Sequence, residues 1–133
     1  METRKHIAAE KKHCGSHNCA QAIVHTYADI AGMDEQQAMN VANAFGAGMG
    51  NMEGTCGALV GAGIVLGMLN KDKAKAMKDM RQIMMKFQTR NGATQCKVLK
   101  GVGTKVVLRE CPLCVADAAE FLEEQIREST ADS

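Results

Sequence analysis

The sequence predicts an all-α fold, a compact bundle of about five to six helices with a glycine-rich loop and cysteines at helix N-termini. Three observations carry that expectation. Apolar residues recur at i, i+3, i+4 and i+7 in successive segments, the spacing of one helix face. Ser, Asp or Thr stands ahead of most segments and Gly behind them, the usual start and stop signals. The core must also be built from small or pliable side chains, because the chain has 10 Met against 3 Phe, 1 Tyr and no Trp. Such helices can approach closely while Met fills the gaps.

In chain order, Ser16 is placed to cap a helix whose stripe is Ala20, Ile23, Val24 and Tyr27, with Gly32 ending it. Asp34 and Gln37 read as a capping box, and Ala38, Val41, Ala42 and Phe45 form the stripe behind it. A glycine-dense loop follows, Gly46 to Gly54. Thr55 then caps a helix from Cys56 to about Leu69. Gly57, Gly61, Gly63 and Gly67 lie inside it, each costing roughly 1 kcal/mol against Ala, so this helix is expected to be central and in close backbone contact with a neighbour. Asp72 to Arg90 is a further helix, with Ala76, Met80, Ile83 and Phe87 on one side and Asn91-Gly92 at its end. Thr94 caps a short helix, Gln95 to Lys100, which Gly101 stops. Val102 to Leu108 is short and β-branched, and reads as extended with no evident partner strand. Pro112 suits the first position of a last helix with Val115, Ala118, Ala119, Leu122 and Ile126 as its stripe. The tail after Arg127 is expected to fray.

With 133 residues the chain is read as one domain, residues 1–133 with a core over about 14–126, long enough to bury a core without staples. A net charge of +1 gives no global field, so no nucleic-acid partner is expected. Lys71, Lys73, Lys75, Lys78 and Arg81 make a basic face, and Glu120, Glu123, Glu124 and Glu128 an acidic one; both read as solvated. Met1 to Lys12 is charged and lacks the apolar centre of a secretory signal. Thr55 to Asn70 is uncharged but Gly-rich and shorter than the roughly 20 residues of a membrane span. The expectation is a cytoplasmic chain with no membrane partner, where thiols stay reduced. Six cysteines in that setting favour metal binding or catalysis over structural disulfides.

The expected helix starts place Cys19, Cys56, Cys96 and Cys111 in the first turn of four helices or at its cap, with Cys114 one turn after Cys111. A helix N-terminus offers free N–H groups and partial positive charge, which stabilise the thiolate that binds metal and attacks disulfides. An inert core cysteine would sit more often mid-helix in an apolar stripe. Cys111-Pro-Leu-Cys114 is a C-x-x-C, suited to half a zinc site, an iron–sulfur ligand pair or a redox dithiol. His13-Cys14-x-x-His17-x-Cys19 is a dense N/S cluster that suits zinc or could lend His ligands to an iron–sulfur cluster, set against a reading of His6, His13, His17 and His25 as surface imidazoles. The loop Gly46 to Gly54 lacks the lysine and the preceding strand of a phosphate loop. Its backbone, at Gly48, Gly50 and Gly54 and on into Gly57, is placed to approach a cofactor or a neighbouring helix.

Cys19-Ala20, then Phe45-Gly46-Ala47-Gly48-Met49-Gly50, then Thr55-Cys56-Gly57-Ala58-Leu59-Val60-Gly61-Ala62, with Cys96 and Cys111 downstream, resemble the C_GCAxxG_C_C family of redox-active proteins. The resemblance implies a compact helical domain and a redox role. It implies Cys19, Cys56, Cys96 and Cys111 as the family's four cysteines, with Cys14 and Cys114 as additions. A related domain of split-Soret cytochromes is linked to an iron–sulfur cluster, so the resemblance points to iron rather than zinc. The resulting expectation is an iron–sulfur cluster, 2Fe–2S or 4Fe–4S, or else zinc. Cys19, Cys56, Cys96 and Cys111 would ligate it, with Cys114 as a substitute ligand. The partner would be a redox protein, and a homodimer sharing the centre is compatible with the sequence. The rival readings are a thiol–disulfide oxidoreductase using Cys111 and Cys114 or Cys56, and a structural zinc module.

Overall fold

The computed structural model describes residues 2–131, the last two by backbone alone. Within them lie α1 (Lys5–His13), α2 (Cys19–Thr26), α3 (Ala28–Ala31), α4 (Glu35–Val41), a π turn (Gly48–Met52), α5 (Gly57–Asn70), α6 (Lys73–Asn91), α7 (Cys96–Lys100) and α8 (Cys111–Ala131). The fold is all-α, in more pieces than the five to six that periodicity suggests. α1 is the added piece. It carries no long stripe and buries only Ala8. It is tied down at its start, where the Arg4 amide donates to Glu123 (2.8 Å) and the Arg4 guanidinium pairs with Asp29 (2.7 Å).

Glu123 was expected on a solvated acidic face, yet it is fully buried. Its carboxylate accepts the Tyr27 hydroxyl as well as the Arg4 amide, so the interior charge is hydrogen-bonded rather than stranded. Tyr27 also marks a break. Its backbone leaves the helical region (φ −110°, ψ 19°), which splits the segment before Gly32 into α2 and α3. The cap of α2 is Asn18, which forms a reciprocal capping box with Gln21; Ser16 instead lies 2.6 Å from His17 Nδ1. Asp34 and Gln37 form the expected box at α4, which stops at Val41, short of Phe45. α5 and α7 are capped by Cys56 and Gln95 in place of Thr55 and Thr94. Pro112 is second in α8, and that helix runs past Arg127 to Ala131 instead of fraying.

α5 is central, packing on α2, α6 and α8. Its glycines divide by role. A Cβ on Gly57 would lie 2.7 Å from the Phe45 carbonyl oxygen, and one on Gly61 2.8 Å from that of Ala20, so α2 can sit there only against bare backbone. Gly67 meets nothing within 4 Å. Close approach therefore explains the N-terminal half of the helix and leaves the C-terminal half without a reason. α6 and α8 bury most of the stripes expected of them, with Ile83, Phe87, Val115, Ala118, Ala119 and Leu122 in the core and Ala76, Met80 and Ile126 only partly buried. No helix among the described residues is long and apolar enough to cross a membrane.

Candidate thiolate centre

Four helix starts converge on one place. Cys19 is the first residue of α2, Cys56 the cap of α5, Cys96 the first residue of α7 and Cys111 the first of α8. With Cys114, one turn into α8, these five cysteines line a single cavity together with Leu99, Lys100 and the α7–α8 connection at Arg109. Short backbone bonds set the register. The Cys96 amide donates to the Gly54 carbonyl (2.9 Å) and the Cys56 amide to that of Thr94 (2.8 Å), around an antiparallel bridge between Thr55 and Gln95. These bonds clip the glycine loop to the start of α7 and hold Cys56 beside Cys96.

Gly48 completes the clip. It stands in the left-handed region (φ +57°), and a Cβ there would fall 2.5 Å from Cys96 Cβ. Gly57 stands against Cys19, whose Cβ would lie 3.2 Å from a Gly57 Cβ. Gly54 contributes its carbonyl. Gly50 faces open space and touches nothing at the cavity. Of the four glycines expected at the site, Gly48, Gly54 and Gly57 are therefore placed against the cysteines and Gly50 is not.

The sulfurs associate in two pairs. Cys19 and Cys111 act on each other, as do Cys114 and Cys56, while the Cys114 thiol donates to the Arg109 carbonyl (3.7 Å). The two cysteines of the C-x-x-C thus do not face each other; each meets a cysteine from another helix. Cys19, with help from the Lys100 ammonium and against some cost of burial, draws Cys111 down to about 5, which favours its thiolate. Cys114, and then the first amides of α5 on Ala58 and Leu59, lower Cys56. Cys19 and Cys114 are pushed up in return, helped by their burial. Burial also raises Cys96, with Lys100 offsetting part of the effect. Cys111 is half-buried and the other four are buried, so Cys111 is the most exposed cysteine of the cavity.

Lys100 was not singled out in the sequence, although a signal existed. It follows Cys96 at i+4 in α7 and so shares its face. The void between the sulfurs is about 10 Å³, room for roughly one water. Among the described residues no three His, Cys, Asp or Glu side chains converge tightly enough to grip a single ion.

The N/S cluster around Cys14 does not join this centre. Cys14 is exposed, and its sulfur lies 3.2 Å from Ser16 Oγ. His17 Nε2 and His25 Nδ1 are 2.9 Å apart with their rings stacked. Cys19 turns inward from the first turn of α2, so the motif is split between surface and interior.

Helices around a shared set of thiols define the class: a small all-α protein with a multi-cysteine centre. The chain belongs to the family whose model is described as putative redox-active protein (C_GCAxxG_C_C), which matches residues 17–125. That span holds all five cavity cysteines and leaves Cys14 outside. The family's description supports a redox role for the clustered thiols. Comparison with curated proteins and with solved structures returns no match.

Proposed function

We propose that this chain is a small redox protein whose gathered cysteines hold an iron–sulfur cluster and pass single electrons to and from a partner protein. The observation that carries the reading is the number of thiols at one cavity: five, drawn from four helices. Dithiol chemistry needs two, whereas a cluster needs four. The donor set fits iron and sulfide in kind, being all sulfur, with two members already favoured as thiolates and no carboxylate lining the cavity. The void fits less directly. The thiols would have to move apart to admit metal–sulfur bonds, for iron and for zinc alike.

Cys19, Cys56, Cys96 and Cys111 are the proposed ligands, with Cys114 as a substitute ligand at a position other than that of Cys56. A bound cluster supplies reversible one-electron transfer. Lys100 offsets the negative charge of the thiolates, and Gly48 and Gly57 let backbone stand where side chains would crowd the sulfurs. The test is anaerobic purification and reconstitution, followed by iron, sulfide and zinc analysis and a visible spectrum. The expected result is a coloured protein with iron and sulfide, lost in Cys56→Ser and kept in Cys14→Ser. A colourless chain, or equal retention by both variants, overturns the assignment.

The sulfur pairs favour a second reading, a thiol–disulfide oxidoreductase. The Cys111 thiolate would attack one sulfur of a substrate disulfide, breaking that bond and releasing a thiolate. Cys19, giving up its proton, would then attack Cys111, forming the Cys19–Cys111 bond and releasing the second substrate thiol. Two electrons pass to the substrate. The resolving partner in this reading is Cys19, not Cys114. A metal-free protein that reduces model disulfides, with Cys111→Ser inactive, would select it.

A further inference from the structure

The connection between α7 and α8, residues 101–110, touches the centre only at Arg109, and the rest of it carries an unusual surface. Val102, Val106, Val107 and Leu108 are each 43 to 60 % exposed, and Leu113 at the start of α8 is a fifth exposed apolar side chain. Scattered exposed apolar residues are ordinary; four within seven residues of one loop are not. The loop is also held in place. The Leu108 and Arg109 amides both donate to the Leu99 carbonyl (2.9 and 3.2 Å), and the Gly101 backbone lies so close to Val106 that a Cβ there would sit 2.7 Å from the Val106 carbonyl. Lys105, at the turn, adopts a positive φ of 64°, a conformation that costs a non-glycine residue energy and persists only where its surroundings impose it.

The same loop reaches the thiols. Arg109 lines the cavity and its carbonyl is 3.7 Å from Cys114 Sγ, while Cys111, the half-buried sulfur, follows two residues later. The charge beside it leans basic, with Lys97, Lys100, Lys105 and Arg109 against Glu110 over residues 97–110. Lys97 is paired with Glu53 and Arg109 with Asp117, but Lys105 makes no ion pair among the described residues. Lys100 and Lys12 both act on Cys111 as cations, with Glu110 the one acid of the connection. An apolar patch with a basic margin, beside the accessible edge of a redox centre, suits a partner with an apolar contact ringed by acids. A second copy of this chain would bring like charge against like.

We propose that the 101–110 connection is the docking surface for an acidic electron-transfer protein, a reading that rests on the redox centre proposed above and names its partner's chemistry. The contact would be small and transient, its encounter rate set by charge and its orientation by the valines.

Stopped-flow electron transfer from the reconstituted, reduced chain tests it, with an acidic flavodoxin and basic cytochrome c as the two probe acceptors. Dithionite reduction of each variant, followed by its visible spectrum, is the control, since a small reductant needs no docking surface. The expected rate to flavodoxin falls about tenfold between low salt and roughly 0.5 M salt. Lys105→Glu and Val107→Asp each lower it by about three- to tenfold at low salt, with reduction by dithionite unchanged. Cytochrome c should react more slowly than flavodoxin and should gain from Lys105→Glu. A chain that dithionite cannot reduce overturns the cluster reading, and this one with it. A reducible chain that does not react with flavodoxin, that prefers cytochrome c, or whose rates ignore both variants overturns the docking surface alone.

Discussion

Cys111 differs from its neighbours in two respects at once: it is only half-buried, and its thiol is drawn down to about 5. Its thiolate is favoured by Cys19 first and by Lys100 second. In the metal-free chain, iodoacetamide should therefore label Cys111 before the other cavity thiols. Its labelling rate should titrate near pH 5, in place of the ordinary thiol midpoint of about 8.5. Removing the cation in Lys100→Met leaves the Cys19 thiol in place, so the midpoint should move upward without reaching the ordinary value. Mass spectrometry of the labelled peptides reads both. Uniform labelling of all five thiols, or a Cys111 midpoint unmoved by Lys100→Met, would show that the two groups do not interact. Cys14 lies away from this circuit: it is exposed, and its thiol is lowered through Ser16 rather than through a second sulfur.

At the scale of the element, α5 decides how near α2 can come. Gly57→Ala places a methyl group 2.7 Å from the Phe45 carbonyl, against fixed backbone, and should cost about 2 kcal/mol while displacing Cys19. Gly67→Ala meets nothing and should stabilise the chain by about 1 kcal/mol through helix propensity alone. Urea denaturation of the two variants separates close approach from propensity; equal shifts would mean that neither glycine is there for contact. The tie between α1, α6 and α8 is electrostatic. Arg90, and behind it Lys5, hold Glu120 down at about 2, below its ordinary 4.5. A carboxylate lowered by folding adds stability that is complete above the unfolded value and is lost as pH falls through the folded one. Stability should thus decline between about pH 4.5 and 2, and Glu120→Gln should flatten that part of the acid-unfolding curve. An unchanged acid limb in Glu120→Gln would place the acid sensitivity elsewhere.

For the whole molecule, what could be read from the chain is what is encoded locally. Stripes and caps are written within a turn or two of sequence, so the helix starts beneath Cys19, Cys56, Cys96 and Cys111 were within reach. The expected shape of α5 followed from glycines whose helix penalty demands a return. Details that depend on tertiary partners were not legible. Asn18 outcompetes Ser16 as a cap because its side chain also reaches the Ala42 and Asn43 carbonyls, residues on the far side of α4. Glu123 looks like any surface acid until Tyr27 and Arg4 arrive from elsewhere. The C-x-x-C suggested a pair within one helix turn, whereas the fold pairs each member across helices, Cys111 with Cys19 and Cys114 with Cys56. The charge pattern gave no warning of the apolar connection either, since Val102 to Leu108 reads as a strand seeking a partner and is found as a pinned loop.

The central claim is that these thiols act together on one inorganic centre. Native mass spectrometry of the freshly purified, oxygen-protected chain weighs that directly. The predicted spectrum shows the chain carrying the mass of one iron–sulfur cluster less the protons its ligands release, shifting to the bare chain in Cys56→Ser and unshifted in Cys14→Ser. A wild-type chain at its bare mass, or at that mass less the hydrogens of disulfides between the cavity cysteines, would contradict it.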